Sequence, residues 1–163
     1  MTTVSRNCST ITVEHIQIIS NRPFAEVRTA LEARLPRLDP KILVTLRSGD
    51  QDGATEYEAT GPRLSILLER DHGSLLEIAG LRRNAIQYDV GNPLTASKMT
   101  RHNLGAALYA PLRVVLIEDQ NGHAVFEYDR PSCFFGQFGD LRIRDVGLHL
   151  DDILDELLLA AAS

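Results

Sequence analysis

An aspartate followed by a histidine, Asp71-His72, is the pair in this chain most readily put to chemical use, because a carboxylate that holds an imidazole lets it serve as a base or a metal ligand. The same two residues also describe a helix start. Asp71 would then be the cap and His72 the first helical residue, which accounts for the aspartate with no further assumption. His102 could join the pair only if the fold brought it there. A second candidate is Gly91-Asn92-Pro93, an elbow in which Gly91 is expected to take a positive φ and whose following helix offers free N–H groups to a carboxylate or phosphate, with Lys98 and Arg101 adding charge. Asn92 can itself satisfy one of those groups, and the loop lacks the glycines of a phosphate cradle. Asp145, His149 and Asp152 share a helix face at metal-ligand spacing, but without a His-x-x-x-His pair they read better as a solvated surface. Cys133 follows Arg130 closely, yet Phe134 and Phe135 beside it favour a buried thiol. No Gly-x-Ser-x-Gly, His-Glu-x-x-His or phosphate-loop motif occurs.

The elements that must position these residues are written in the hydrophobic pattern. Residues 11–19 are rich in isoleucine and valine and predict a first strand. Ser20 or Asn21 is placed to cap a helix begun by Pro23, with Phe24, Val27, Leu31 and Leu35 along one side and Pro36 ending it. Asp39-Pro40 suggests a short helix through Leu46, although Ile42-Leu43-Val44 reads equally as a strand, and Ser48 to Gly61 reads as an exposed loop. Leu64, Ile66 and Leu68 alternate with polar residues as in a half-buried strand. A short helix from Asp71 stops at Gly80, and Ile86, Tyr88 and Val90 alternate into the elbow and a helix to about Arg101. Asn121-Gly122 predicts a two-residue type I′ hairpin turn, which sets Ile117 opposite Phe126 and Val115 opposite Tyr128. Tyr88, Val115, Phe126 and Tyr128 would then share a core, leaving Leu112, Val114 and Leu116 on a mixed face. An aromatic turn over 132–139 precedes an amphipathic final helix carrying Leu150, Ile153, Leu154, Leu157 and Leu158. The expected fold is α+β: one domain over 11–163 after a flexible N-terminus at 1–10, with a largely antiparallel sheet covered mainly on one face by helices.

Composition narrows the class. The 163 residues suffice for a single domain with a real core, and 44% hydrophobic with 24% charged residues excludes disorder. A formal charge of −5 speaks against a nucleic-acid partner. Two cysteines far apart do not resemble a disulfide framework, and neither an apolar leader nor a stretch of membrane-spanning length is present, so a cytoplasmic location with no membrane partner is expected.

Gly91-Asn92-Pro93, Tyr109-Ala110-Pro111-Leu112-Arg113-Val114-Val115-Leu116, Glu118-Asp119, Gly122 and Tyr128-Asp129-Arg130-Pro131 form one ordered pattern. It resembles domain-of-unknown-function family 302 (DUF302), most closely over about 60–138, and Asp71-His72 is similar to a pair that many members carry. Ala110, Arg130 and the Phe134 to Phe138 segment depart from the commoner form. The resemblance implies a small α+β fold and frequent dimers, and it supplies no reaction, cofactor or catalytic residue. The resulting expectation is a homodimeric domain that binds a small molecule or a protein partner without conventional catalytic machinery. Candidate pocket residues are Asp71, His72, Tyr88, Asn92, His102 and Arg113; no metal site is assigned, and the cofactor is left open. The alternative is an enzyme in which Asp71, His72 and Arg113 surround a pocket at the Tyr88 to Asn92 strand end. An apolar surface for a second copy would come from the Leu112, Val114 and Leu116 face or from the Phe134 to Phe138 turn.

Overall fold

A computed structural model describes residues 3–163, of which 3–14 carry no helix or strand. Part of the flexible N-terminus expected at 1–10 thus lies outside the described residues. Five strands form one antiparallel sheet in the order β1-β5-β4-β3-β2: β1 (His15–Pro23), β2 (Ser65–Asp71), β3 (Ala85–Gly91), β4 (Leu112–Glu118) and β5 (His123–Asp129). Helices α1 (Phe24–Arg34) and α6 (Leu141–Ala162) lie across one face of it. Helices α2 (Lys41–Ser48), α3 (Gln51–Thr60), α4 (Pro93–Thr100) and α5 (Pro131–Phe135) complete the helical part. The expected α+β architecture is therefore present, with the amphipathic C-terminal helix in place.

The core forms where the inner sheet face meets α1 and α6. Ile86, Tyr88, Val90, Val114, Leu116, Phe126 and Tyr128 bury against Val27 and Leu31 from α1 and Leu150, Leu154 and Leu158 from α6. Two phenols keep their polar ends satisfied within this layer. Tyr88 donates to Glu32 Oε1 at 2.9 Å, and Tyr128 donates to Asp155. Burial first, then the neighbouring carboxylate, pushes both hydroxyls well above the ordinary tyrosine range. Ser20 is drawn into the same layer and donates to the Ala162 carbonyl at 2.5 Å, which joins β1 to the last turn of α6.

Several elements differ from the expectation, each for a local reason. The first strand runs through Ser20, Asn21 and Pro23, so neither Ser20 nor Asn21 caps α1, and the Ser20 hydroxyl bonds Ala162 and the Arg22 N–H instead. Residues 51–60 form α3, capped by Asp50 on the Gly53 N–H at 2.9 Å. The helix buries none of its residues, so no apolar stripe announces it. Within β2 the register shifts between Ile66 and Leu68. This bulge leaves Leu64 and Ile66 buried and turns Leu68 outward. The segment expected as an aromatic turn holds α5, whose Ser132 N–H is capped by the buried Asp151 at 2.9 Å.

The β4–β5 hairpin is one residue out of the expected register. Asp119 pairs with His123, which leaves three loop residues instead of two, and Val114 faces Tyr128 while Leu116 faces Phe126. A type I′ turn needs positive φ at both central residues, but only Gly122 has it, at φ 83°. The Asp119 carboxylate instead accepts from the Asn121 and His123 N–H groups at 2.8 Å each and stabilises the longer loop. A slip of one residue exchanges the faces. Leu112, Val114 and Leu116 consequently lie in the core, and Val115 stands opposite Glu127 on the other face.

Candidate functional site

The elbow after β3 is built as the sequence implies at Asn92 and otherwise at Gly91. Asn92 Oδ1 accepts from the Leu94 N–H at 2.9 Å and the Thr95 N–H at 3.2 Å, while its amide donates to the Pro62 carbonyl at 3.0 Å. Both N–H groups that an anion would need are thereby taken. Lys98 pairs with Glu58, and Arg101 donates back to the Ser97 carbonyl at 3.1 Å, so neither cation serves the elbow. Gly91 has no positive φ, contrary to the conformation expected of it. A Cβ built there would meet Pro111 at 3.6 Å and Leu67 at 3.7 Å, which is ordinary contact.

The open space beside Gly91 belongs to a cavity of about 200 Å³ at the end of the sheet. Val90 and Gly91 form one wall, Met99 of α4 and Leu43 of α2 another, and Pro111 a third. Phe135 and Leu150 join them to the core beneath. The β2 bulge contributes Leu67, half exposed at the rim. Every lining side chain is apolar or neutral, and none is titratable. The chemistry available is mainly shape and apolar contact, with the neutral polar side chains of Asn92 and Thr95 at the wall.

The charged candidates are distributed elsewhere. Asp71 Oδ1 accepts from the Ser74 N–H at 2.9 Å and closes a turn before a 3₁₀ segment at Ser74–Ala79, so the helix begins two residues later than a His72 start requires. His72 is exposed, with Nε2 3.1 Å from Gln87 Oε1 near the start of β3. His102 follows α4, beyond the other end of β3. Tyr88 faces inward to Glu32, whereas Arg113, paired across the sheet with Asp89, faces outward. Asp71 lines one depression, Arg113 others, and His72 none of these. The fold therefore does not gather Asp71, His72 and Arg113 around one concavity, nor does it bring His102 to the Asp71-His72 pair.

Two remaining expectations also resolve in the packing. Asp145 and His149 line a groove between α3, α4 and α6, and among the described residues no group of three or more His, Cys, Asp or Glu side chains is placed to hold a metal ion. Cys133 is partly buried and its Sγ lies 3.5 Å from the Glu14 N–H. Phe135 is fully buried, and Phe134 stacks on Tyr109 at 4.9 Å between ring centroids with Phe138 edge-on at 6.3 Å. The Leu112, Val114 and Leu116 face is therefore taken up by the core, whereas Phe134 and Phe138 remain partly exposed. The residues that sequence reasoning missed are Leu67, Met99 and Pro111. A one-residue irregularity and a wall assembled from separate elements leave no periodic signal.

The sheet order, the helix layer on one face and the apolar cavity at the sheet end define a small α+β domain. A solved structure described as an uncharacterized conserved DUF302 protein from Bacillus stearothermophilus has a similar fold, with a TM-score of 0.59 at 16% identity over 91% of this chain and 94% of that one. The pattern of the family described as domain of unknown function DUF302 matches residues 53–161, and the chain belongs to that family. The match includes α6 as well as the strands that carry the resemblance. No curated protein matches the sequence.

Proposed function

We propose that this protein is a binding domain whose ligand is a small molecule held in the apolar cavity beside Gly91. One observation carries the reading: the cavity is formed by residues of seven separate elements, and no titratable side chain lines it. A cavity of comparable size walled by apolar side chains holds a small hydrocarbon, and apolar contact is the main source of affinity this lining offers. Binding is favoured over catalysis because Asp71, His72 and Arg113 do not share a concavity with the cavity or with each other. The test is a thermal-shift titration with neutral apolar probes, indole and octanol, on the native protein and on Gly91→Val. A probe that binds the folded state raises its melting temperature, and the valine side chain should abolish that shift while leaving the unliganded melting temperature within a few degrees. Shifts that persist in Gly91→Val would place binding elsewhere and refute the assignment.

A further inference from the structure

The apolar cavity shares its Ala110 and Pro111 wall with a second depression of about 280 Å³ on the sheet face opposite α1 and α6. The polar lining of this depression is Arg70, Gln87, Asp89 and Arg113. Pro111 stands immediately before β4 and Arg113 is its second residue, a separation of about 7 Å in extended chain. Asp89 stands in the same relation to Gly91 on β3, where the two strands pair Asp89 with Arg113. The apolar pocket mouth and the charged row are thus consecutive along the same pair of strands.

Within that row the charges are unevenly used. Arg70 Nη1 donates to Asp89 Oδ1 at 2.9 Å, and His15 Nδ1 lies 2.8 Å from Asp129 Oδ1. Gln87 is engaged by His72. Arg113, between Asp89 and Asp129, makes no ion pair or side-chain hydrogen bond among the described residues. A guanidinium presents a planar fork suited to a carboxylate. The two flanking aspartates oppose a second negative charge at the same place, which disfavours a dianionic phosphate.

We infer that the ligand is a monoanionic amphiphile: an apolar body fills the cavity beside Gly91, and a carboxylate reaches past Pro111 to Arg113. This assignment rests on the apolar-cavity reading and adds to it the head group and its receptor.

Octanoate and octanol share a chain and differ at the head, so NMR titration of amide shifts at low salt separates the two ideas. Octanoate should bind about tenfold more tightly than octanol, as expected when one charge-assisted hydrogen-bonded pair is added. Arg113→Gln should reduce that ratio to near one while leaving octanol affinity unchanged, and Gly91→Val should weaken both ligands. Equal affinity for octanoate and octanol in the native protein, with shifts around Gly91 and Leu67, would overturn the head-group assignment and leave the cavity reading standing. Binding of neither would overturn both. A preference for octanoate that survives Arg113→Gln would also reject Arg113 as the receptor. Since Arg113 is exposed, its variant should fold normally, and an unchanged amide spectrum away from β4 checks this.

Discussion

Phe126 is fully buried, at 0% exposure, and faces Leu116 in the middle of the core. Removing its ring leaves a void that the rigid sheet and α6 can only partly close. Phe126→Ala should therefore cost about 3–5 kcal/mol, measured as a shift of the urea midpoint with an unchanged slope. A loss below about 1 kcal/mol would mean that the site collapses around the missing ring. Individual residues also show where a sequence pattern is informative. Asn92 reads directly as a cap because its chemistry is local: one side-chain oxygen and the two N–H groups just ahead of it in the chain. Gly91 reads incorrectly from the same tripeptide. A glycine marks either a positive φ or a close approach, and its neighbours in sequence do not distinguish them. Here neither applies, because an added Cβ would meet Leu67 of β2 and Pro111, just before β4, at ordinary contact distances.

At the scale of elements, the edge strand β1 is joined to β5 through exposed polar pairs. His15 lies 2.8 Å from Asp129 and 3.4 Å from Glu127, and Gln17 donates to Glu127 at 2.8 Å. The hydrogen bond to Asp129 raises the His15 pKa above its ordinary 6.5, against a smaller opposing effect of desolvation. A group whose folded pKa is raised stabilises the fold fully below its unfolded value and loses that contribution as pH rises through the folded one. Protection of the β1 amides in native-state hydrogen exchange, corrected for intrinsic rates, should thus fall as pH increases above about 6.5. Replacing His15 with Gln should flatten this dependence, and an undiminished slope in that variant would assign it to another group. The exposed position makes the expected effect small.

The elements themselves were legible in proportion to how much of their stability is local or periodic. The alternating Ile86, Tyr88 and Val90 predict β3 correctly, and the apolar stripe of α6 predicts its helix. Helix α3 escapes because it buries none of its residues, and the β2 bulge escapes because a register shift preserves the types of residue while reversing their faces. At the hairpin, the Asp119 carboxylate decides between two loop lengths that Asn121-Gly122 alone would permit. The cavity was the least legible part of the protein. Its location at the strand end follows from the elbow, but its walls come from side chains widely separated along the chain.

For the whole molecule, no helix among the described residues is long and apolar enough to cross a membrane. The sheet joins the beginning of the described fold to its end: β1 is the first strand in the chain, and its sole strand neighbour, β5, is the last. Ser20 and Ala162 close the same circuit. The hydrogen bond between His15 and Asp129 spans 114 residues, whereas β4 and β5 meet through a short hairpin. Closing the longer loop costs more chain entropy and can bring β1 into place only after β5 exists. In refolding followed by pulsed amide exchange, the β1 amides should accordingly gain protection after those of β4 and β5. Simultaneous protection would show that the sheet assembles in one step. On the ribosome this topology imposes a delay as well as an order. At typical elongation rates β1 emerges on the order of ten seconds before its partner strand, and throughout that interval its alternating isoleucines are available to chaperones and to other nascent chains.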